Sequence, residues 1–285
     1  MALEWTGERL VTDNTLGKGV AEHLHRYALT LKYVKGKNVL DIASGEGYGS
    51  KLIAGTAQKV IGVDVSEDAI QHARSFYEQD NLDFICGSVV NIPVETGSVD
   101  VVVSFETIEH VEDQLTMLQE IKRVLKKDGL LIISSPEREN YRKVDPDNPY
   151  HVKELSGEEF RELLSKYFNH FQVFSQSFHI ASIVTPLSGA IQQKEFLSGN
   201  FSSVNHGQEN SITLYNIAFC SNVELPEKLP GLSIFNGEEM FKNHLSALAE
   251  TYCNERIERF RNSASYRVGN ILIKPFSWLK NRLKS

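Results

Sequence analysis

The segment Val39-Leu40-Asp41-Ile42-Ala43-Ser44-Gly45-Glu46-Gly47-Tyr48-Gly49 constrains this chain more than any other. An apolar run leads into three alternating glycines and then into a helical pattern. Glycine permits the tight turn and lets a ligand approach the backbone. Asp64 ends the next β-branched run. A carboxylate at that place can accept both hydroxyls of a ribose.

The rest of the chain repeats the same alternation, which marks a parallel sheet with crossover helices. Strands are expected at 38–43, 59–65, 82–88, 99–105 and 129–136, with helices at about 48–57, 67–79 and 111–126. Val111, Leu115, Leu118, Ile121 and Leu125 fall at helical spacing, and Gly129 is expected to end the loop that follows. An N-terminal helix carries Val20, Leu24, Tyr27 and Leu31 on one face, with Gly36 just past its end. Ser156 and Glu159 have the spacing of a capping box for a helix over 156–168. Two further strands, 171–178 and 212–219, flank an insertion at about 179–211. The reading divides the chain into an N-terminal helix and lid (1–36), a sheet domain (37–222) and a helical basic tail (223–285).

Two ligand classes use a strand–glycine-loop–helix unit. A dinucleotide fold wants G-x-G-x-x-G with a pyrophosphate at the helix N-terminus. Here the third glycine comes one residue early, at Gly49, and the acids Asp41 and Glu46 flank the loop. Negative charge is unfavourable beside a pyrophosphate. It suits a ligand bearing an ammonium and a sulfonium, as S-adenosylmethionine (SAM) does. A tight structural connection is the plain alternative for the loop taken by itself.

These segments resemble the class I SAM-dependent methyltransferases. Val39–Gly49 and Val60–Val65 correspond to the first two motifs. Phe84–Ser88 with Asn91-Ile92-Pro93 corresponds to the third, Asp100–Val111 to the fourth and Leu125–Pro136 to the fifth. The resemblance implies a Rossmann-like α/β fold with a seven-stranded sheet, helices on both faces and a last antiparallel hairpin. It implies SAM contacts from Asp41, Ala43, Gly45, Glu46, Gly47, Asp64, Val65, Ser88, Val89 and Phe105. Ser88 stands where the family usually has an acid for the adenine amino group; a hydroxyl still accepts, more weakly. Shorter segments are similar to methyltransferases of bacterial surface-polysaccharide assembly. They are Trp5–Arg9, His23–Tyr27, Asn148–His151, Ser265–Gly269 and Pro275 with Trp278–Lys280. That likeness implies a sugar or glycan acceptor, as a nucleotide sugar or on a lipid carrier.

Methyl transfer to a hydroxyl needs a proton removed as the new bond forms. The loop after the fourth strand offers Glu106, Glu109 and His110, and His151 lies in a later loop. Either histidine suits the base; a capping or ordinary loop histidine is the alternative for each. Glu106 could instead orient the methionine amino group. On the N-terminal helix His23, Arg26 and Tyr27 share a face. Arg26 could pair with the methionine carboxylate, and Tyr27 could cover the cofactor or pack in the core. No Asp/His set shows metal-ligand spacing, so no metal is expected.

Composition narrows the partners. The 285 residues carry a net charge of −7, a poor match for phosphate-backbone binding, so no nucleic-acid partner is expected. Residues 251–285 run the other way, with eight Lys or Arg against two Glu. Phe276, Trp278 and Leu279 beside basic residues suit an anionic lipid surface, and a second subunit is the alternative. Cys86, Cys220 and Cys253 are far apart. With no apolar span and no secretory leader pattern, a cytoplasmic enzyme, peripheral at the inner membrane face, is expected.

Overall fold

The computed structural model describes residues 18–146, 148–179, 183, 196–199, 204–207, 212–263 and 266. Its strands are β1 (Asn38–Ile42), β2 (Lys59–Asp64), β3 (Leu82–Cys86), β4 (Val99–Ser104), β5 (Leu125–Pro136), β6 (His170–Gln176), β7 (Phe196–Gly199), β8 (Val204–Gly207) and β9 (Tyr215–Ser221). Its helices are α1 (Lys18–Val34), α2 (Tyr48–Ala54), α3 (Glu67–Phe76), α4 (Gln114–Val124), α5 (Arg138–Tyr141), α6 (Gly157–Ser165) and α7 (Glu238–Asn262). A 3-10 turn, Ile108–His110, precedes α4.

Seven strands form one sheet in the order β3-β2-β1-β4-β5-β9-β6. The first five are parallel, and β9 runs antiparallel between β5 and β6. The expected α/β sheet with a terminal antiparallel pair is therefore present. The chain order reverses between β1 and β4, and ligands of open α/β sheets sit beyond the carboxyl ends of the strands at such a point.

Alternation along the strands builds two cores. Leu40 and Ile42 of β1, Val102 of β4 and Leu131 and Ile133 of β5 face the side covered by α4 and α6. Val39, Val101, Val103, Leu130 and Ile132 face the side where Tyr27 and Val34 of α1 and Ile53 of α2 pack. Both faces are dry, which is why the strands read as continuous apolar runs. Asp41 lies on the second face, with Val39, and is 1% exposed.

Local signals act as expected at several ends. Gly36 follows α1 at φ +69°. Ser66 and Asp113 cap α3 and α4 through Ala69 N–H and Thr116 N–H. Ser156 and Glu159 form the reciprocal capping box of α6.

Three expectations need correction. The helix expected from Val111 begins at Gln114, because Ile108–His110 takes the tighter 3-10 path first. The loop expected before Gly129 is absent: α4 passes directly into β5 at Leu125, and the pairing slips between Val99 opposite Leu125 and Val101 opposite Leu130. The last strand starts at Tyr215 rather than 212. Within the insertion, β7 and β8 pair as a hairpin, which had not been expected.

Glu22–Ile234 belong to one compact unit. Lys18–Ala21 and the described residues from Phe235 on, chiefly α7, belong to a second. Leu245, Tyr252, Ile257 and Phe260 of α7 are each exposed; the side chains of Phe241 and Leu248 lie outside the described set. Among the described residues no helix is long and apolar enough to cross a membrane. The segments Trp5–Arg9, 267–285 and most of 179–211 lie outside the described residues.

Candidate functional site

The loops beyond β1, β2 and β4 converge at the point where strand order reverses. Gly45 takes φ +57° and donates its N–H to Asp64 Oδ2 at 2.9 Å. Ser66 N–H donates to Asp64 Oδ1 at 2.9 Å. One carboxylate thus ties the glycine loop to the end of β2. A carboxylate has about four acceptor positions, which lets one side chain hold both loop and ligand. Val65, next to it, exposes 76% of its surface, an apolar face beside a polar anchor. On the far side of β2, Ser88 accepts from Val90 N–H at 3.3 Å, and Val89 packs half-buried against the core.

Two of the glycines answer to the protein's own packing. A Cβ on Gly47 would lie 2.7 Å from the Phe84 ring, and one on Gly49 would lie 2.0 Å from the Tyr27 ring. Gly47 also takes φ +95°. The loop is therefore pressed flat by aromatic rings beneath it. Tyr27 is 5% exposed. Its ring meets Tyr48 and Phe105 edge-on at centroid distances of 5.5 and 5.1 Å, and its hydroxyl donates to Asp41 Oδ1 at 3.3 Å. Tyr27 and Phe105 thus build the floor under the loop, the core role for Tyr27.

The flanking acids are both interior. Asp41 accepts from Ser50 Oγ at 2.6 Å as well as from Tyr27. Burial pushes its carboxyl up to about 7, although those hydrogen bonds pull the other way. Glu46 is 1% exposed and stands 3.9 Å from His72 Nε2.

Backbone strain collects at the same rim. Ala43 (φ +58°) and Glu106 (φ +48°) are the two non-glycine residues with positive φ among the described residues. They follow β1 and β4, the strands on either side of the reversal. Such conformations cost roughly 1–3 kcal/mol and persist where surrounding structure enforces them. Ser134 does so for Glu106: it accepts from Glu106 N–H at 3.1 Å and donates to Glu106 Oε1 at 2.6 Å.

Among the described residues Arg26 is the largest fully buried side chain. Its Nη1 donates to Gln176 Oε1 at 2.8 Å and stands 3.7 Å from Glu106 Oε1. The guanidinium lies over the Tyr215 ring at 4.7 Å. Its Nε and Nη2 are buried with no hydrogen-bond partner. An orphaned donor on a buried cation is costly, and two on one guanidinium form the fork that accepts a carboxylate bidentately. The residues present fit SAM: the buried Arg26 fork would take its carboxylate, the acids would face its cationic groups, and Asp64 with Val65 would take its adenosine. Gln176, Tyr215 and Ser134, which hold Arg26 and Glu106, were not identified from sequence. They come from the antiparallel pair and β5, where Gln176 pairs with Tyr215 and Tyr215 with Pro136. No motif spacing announces such a cross-strand set.

A second group gathers beyond β4. His110 Nδ1 and the Tyr150 carbonyl are 2.9 Å apart, and His151 Nδ1 and Glu154 Oε1 are 2.8 Å apart. The two imidazoles meet edge-on at 5.0 Å. The two histidines read separately from sequence are thus neighbours. Burial opposes it, but hydrogen bonds from His151 and Arg142 hold the Glu154 carboxyl below the ordinary carboxylate range. Glu109, expected with Glu106 and His110 in the loop after the fourth strand, joins them. One ligand-capable atom each from Glu109, His110 and His151 lie within 4.8 Å of one another. The expectation of no metal set rested on linear spacing, whereas the fold brings His151 in from a distant loop.

Comparison with known proteins identifies the domain. Residues 40–133 match the family model described as a methyltransferase domain. A protein of Mycolicibacterium smegmatis named "Probable S-adenosylmethionine-dependent methyltransferase" is 37% identical over 172 residues, covering 57% of this chain and 64% of that protein. A protein of Mycobacterium tuberculosis H37Rv with a name of the same kind is 37% identical over 165 residues, covering 57% of this chain and 60% of its own length. The chain thus spans less than two thirds of these relatives. A ubiquinone biosynthesis O-methyltransferase of Glaesserella parasuis is 35% identical over 111 residues, covering 36% of this chain and 47% of that protein. Among solved structures, a SAM-dependent methyltransferase of Thermotoga maritima shares the fold, with TM-score 0.52, 21% identity and coverage of 72% of this chain and 92% of that one. The matched domain and these relatives imply SAM as the cofactor and methyl transfer as the chemistry of the domain.

Proposed function

We propose that this protein is a SAM-dependent methyltransferase and that its acceptor is a hydroxyl of a sugar in a bacterial surface glycan or its precursor. The single observation that carries the first part is the buried Arg26 fork beside the Asp64-anchored glycine loop. Bound SAM supplies an electrophilic methyl group on a good leaving group. The protein's work is alignment. Arg26 would fix the carboxylate end and Asp64 the ribose, so that the sulfonium methyl has one direction to face. Alignment of this kind contributes several kcal/mol, up to about 7–11 in ideal cases.

The acceptor half rests on the second group. His110 and His151 lie together at the carboxyl end of the sheet, where a hydroxyl proton must leave. Arg142, held by the buried Glu154, and the half-exposed Tyr150 offer the mixture of polar and aromatic surface that sugars use. Relatives named as ubiquinone biosynthesis O-methyltransferases are compatible with an oxygen acceptor, whereas another is named a sterol 24-C-methyltransferase, so the oxygen assignment rests on the paired histidines. Exposed Val144 and Val152 in the same loop region favour an acceptor with a lipid portion, which a glycan on a lipid carrier provides. The basic segment 264–285 would bring such a carrier within reach at a membrane surface.

Transfer of labelled methyl from SAM to a panel of free sugars, nucleotide sugars, lipid-linked glycans and phenolic quinone precursors tests this reading. Label in the sugar-bearing acceptors alone is expected. Label in the phenol alone would replace the glycan assignment while leaving the reaction class in place. No label anywhere, with SAM binding intact, would favour a SAM-binding scaffold over an enzyme.

A further inference from the structure

We infer that Glu109, His110 and His151 form a binding site for one divalent transition-metal ion of the zinc type. The inference stands on geometry independent of the methyltransferase reading; only its use on an acceptor oxygen rests on that reading.

The tautomers are set first. A carbonyl oxygen accepts and never donates, so the 2.9 Å contact with Tyr150 requires a proton on His110 Nδ1. An ionised carboxylate likewise accepts, so Glu154 places the proton of His151 on Nδ1. With Nδ1 engaged in this way, Nε2 is the nitrogen that each ring can offer to a metal. Metal-binding histidines characteristically give the other ring N–H to a carbonyl or carboxylate, and here both partners are present. Arg142 in turn donates to Glu154 at 2.5 Å.

The backbone holds the three ligands in place. Val152 N–H and Lys153 N–H both donate to the Glu109 carbonyl at 3.0 Å. Gln114 Nε2 ties the Ile108 carbonyl at 2.8 Å to the Lys153 carbonyl at 2.9 Å. The loop carrying His151 is thus stapled to the turn carrying Glu109 and His110. Glu109 and His151 are almost wholly buried, while 29% of the His110 side chain is exposed. That leaves one open side for a fourth ligand.

Two imidazoles and one carboxylate suit zinc-type ions, whereas magnesium prefers oxygen throughout. Bonds of about 2.0–2.1 Å in a tetrahedron place ligand atoms about 3.3 Å apart. Binding therefore draws the ligand atoms, now within 4.8 Å of one another, together by up to about 1.5 Å. The ion's open position would take an oxygen and lower its pKa, the requirement of a hydroxyl acceptor.

Full-length protein stripped with chelator and titrated with Co2+ tests the site directly. Intense tetrahedral d–d bands at one equivalent are expected, with zinc displacing the cobalt. His110→Ala and His151→Ala should each weaken binding at least about 100-fold, and Glu154→Gln about 10- to 100-fold. SAM titration of the same samples reports whether each variant is folded. Absence of bands in the wild-type protein overturns the inference, and needs no variant. So does a cobalt–thiolate charge-transfer band, which would put the ion on the exposed Cys86 or Cys253. Unchanged affinity in folded histidine variants overturns it as well. In each case retained SAM binding leaves the proposed function standing, and lost SAM binding with retained cobalt bands does the reverse.

Discussion

At the residue scale, three side chains carry the account. Asp64→Ala removes the anchor of Gly45 and the proposed acceptor for the ribose hydroxyls, so SAM affinity should fall at least about 100-fold by calorimetry, charge-assisted hydrogen bonds being worth about 1.5–3 kcal/mol each. Arg26→Lys keeps the charge facing Glu106 but loses the planar fork. It should weaken SAM about 10- to 100-fold while leaving 5′-methylthioadenosine, which has no carboxylate, bound as before. Equal losses for both ligands would remove the carboxylate assignment. Asp41 makes a prediction about pH. Its folded pKa, about 7, lies above the unfolded value near 3.8. Between these values the folded state holds a proton that the unfolded chain has lost, so stability falls as pH rises from about 4 to 7. Asp41→Asn should flatten that slope in melting curves of the ligand-free protein; an identical slope would contradict the assignment. Asp64 and the glycines were legible in the sequence because strand, turn and acid follow one another in the chain. The orphaned donors of Arg26 were not, since they appear only when β6 and β9 enclose the side chain.

At the scale of elements, the alternation of apolar runs and helical patterns was enough to place β1 to β4 and the capping of α6. The direct passage from α4 to β5 was hidden, because its register slip is a matter of pairing with β4 rather than of local preference. The same limit hid the triad: Glu109 and His110 end a 3-10 turn, and His151 reaches them through backbone bonds that no periodicity reveals. Those bonds give a prediction. Gln114→Leu leaves the Ile108 and Lys153 carbonyls without their shared donor, at a cost of about 1–3 kcal/mol for the buried Ile108 carbonyl and less for the more exposed Lys153. Melting temperature should drop and methyl turnover fall at least about tenfold, with SAM affinity within a factor of two. Unaltered turnover would mean that the stapled loop plays no part in the chemistry.

At the scale of the whole molecule, the sheet domain accounts for SAM binding, and the C-terminal segment raises a separate question of place. Helix α7 exposes Leu245, Tyr252, Ile257 and Phe260, and carries the ion pairs Glu238–Lys242 and Glu255–Arg259 along its surface. Flotation with liposomes containing anionic lipid should carry the full chain upward and leave a chain lacking 264–285 behind. Equal partitioning would discard membrane contact and favour a protein partner. The glycine loop beyond β1 is flanked by buried acids and floored by aromatic rings, and its ligand decides the function. Isothermal titration of the full-length protein with SAM and, separately, with NAD tests it most directly. Saturable one-site binding of SAM with no heat from NAD is the expected result; saturable binding of NAD with none of SAM would contradict it.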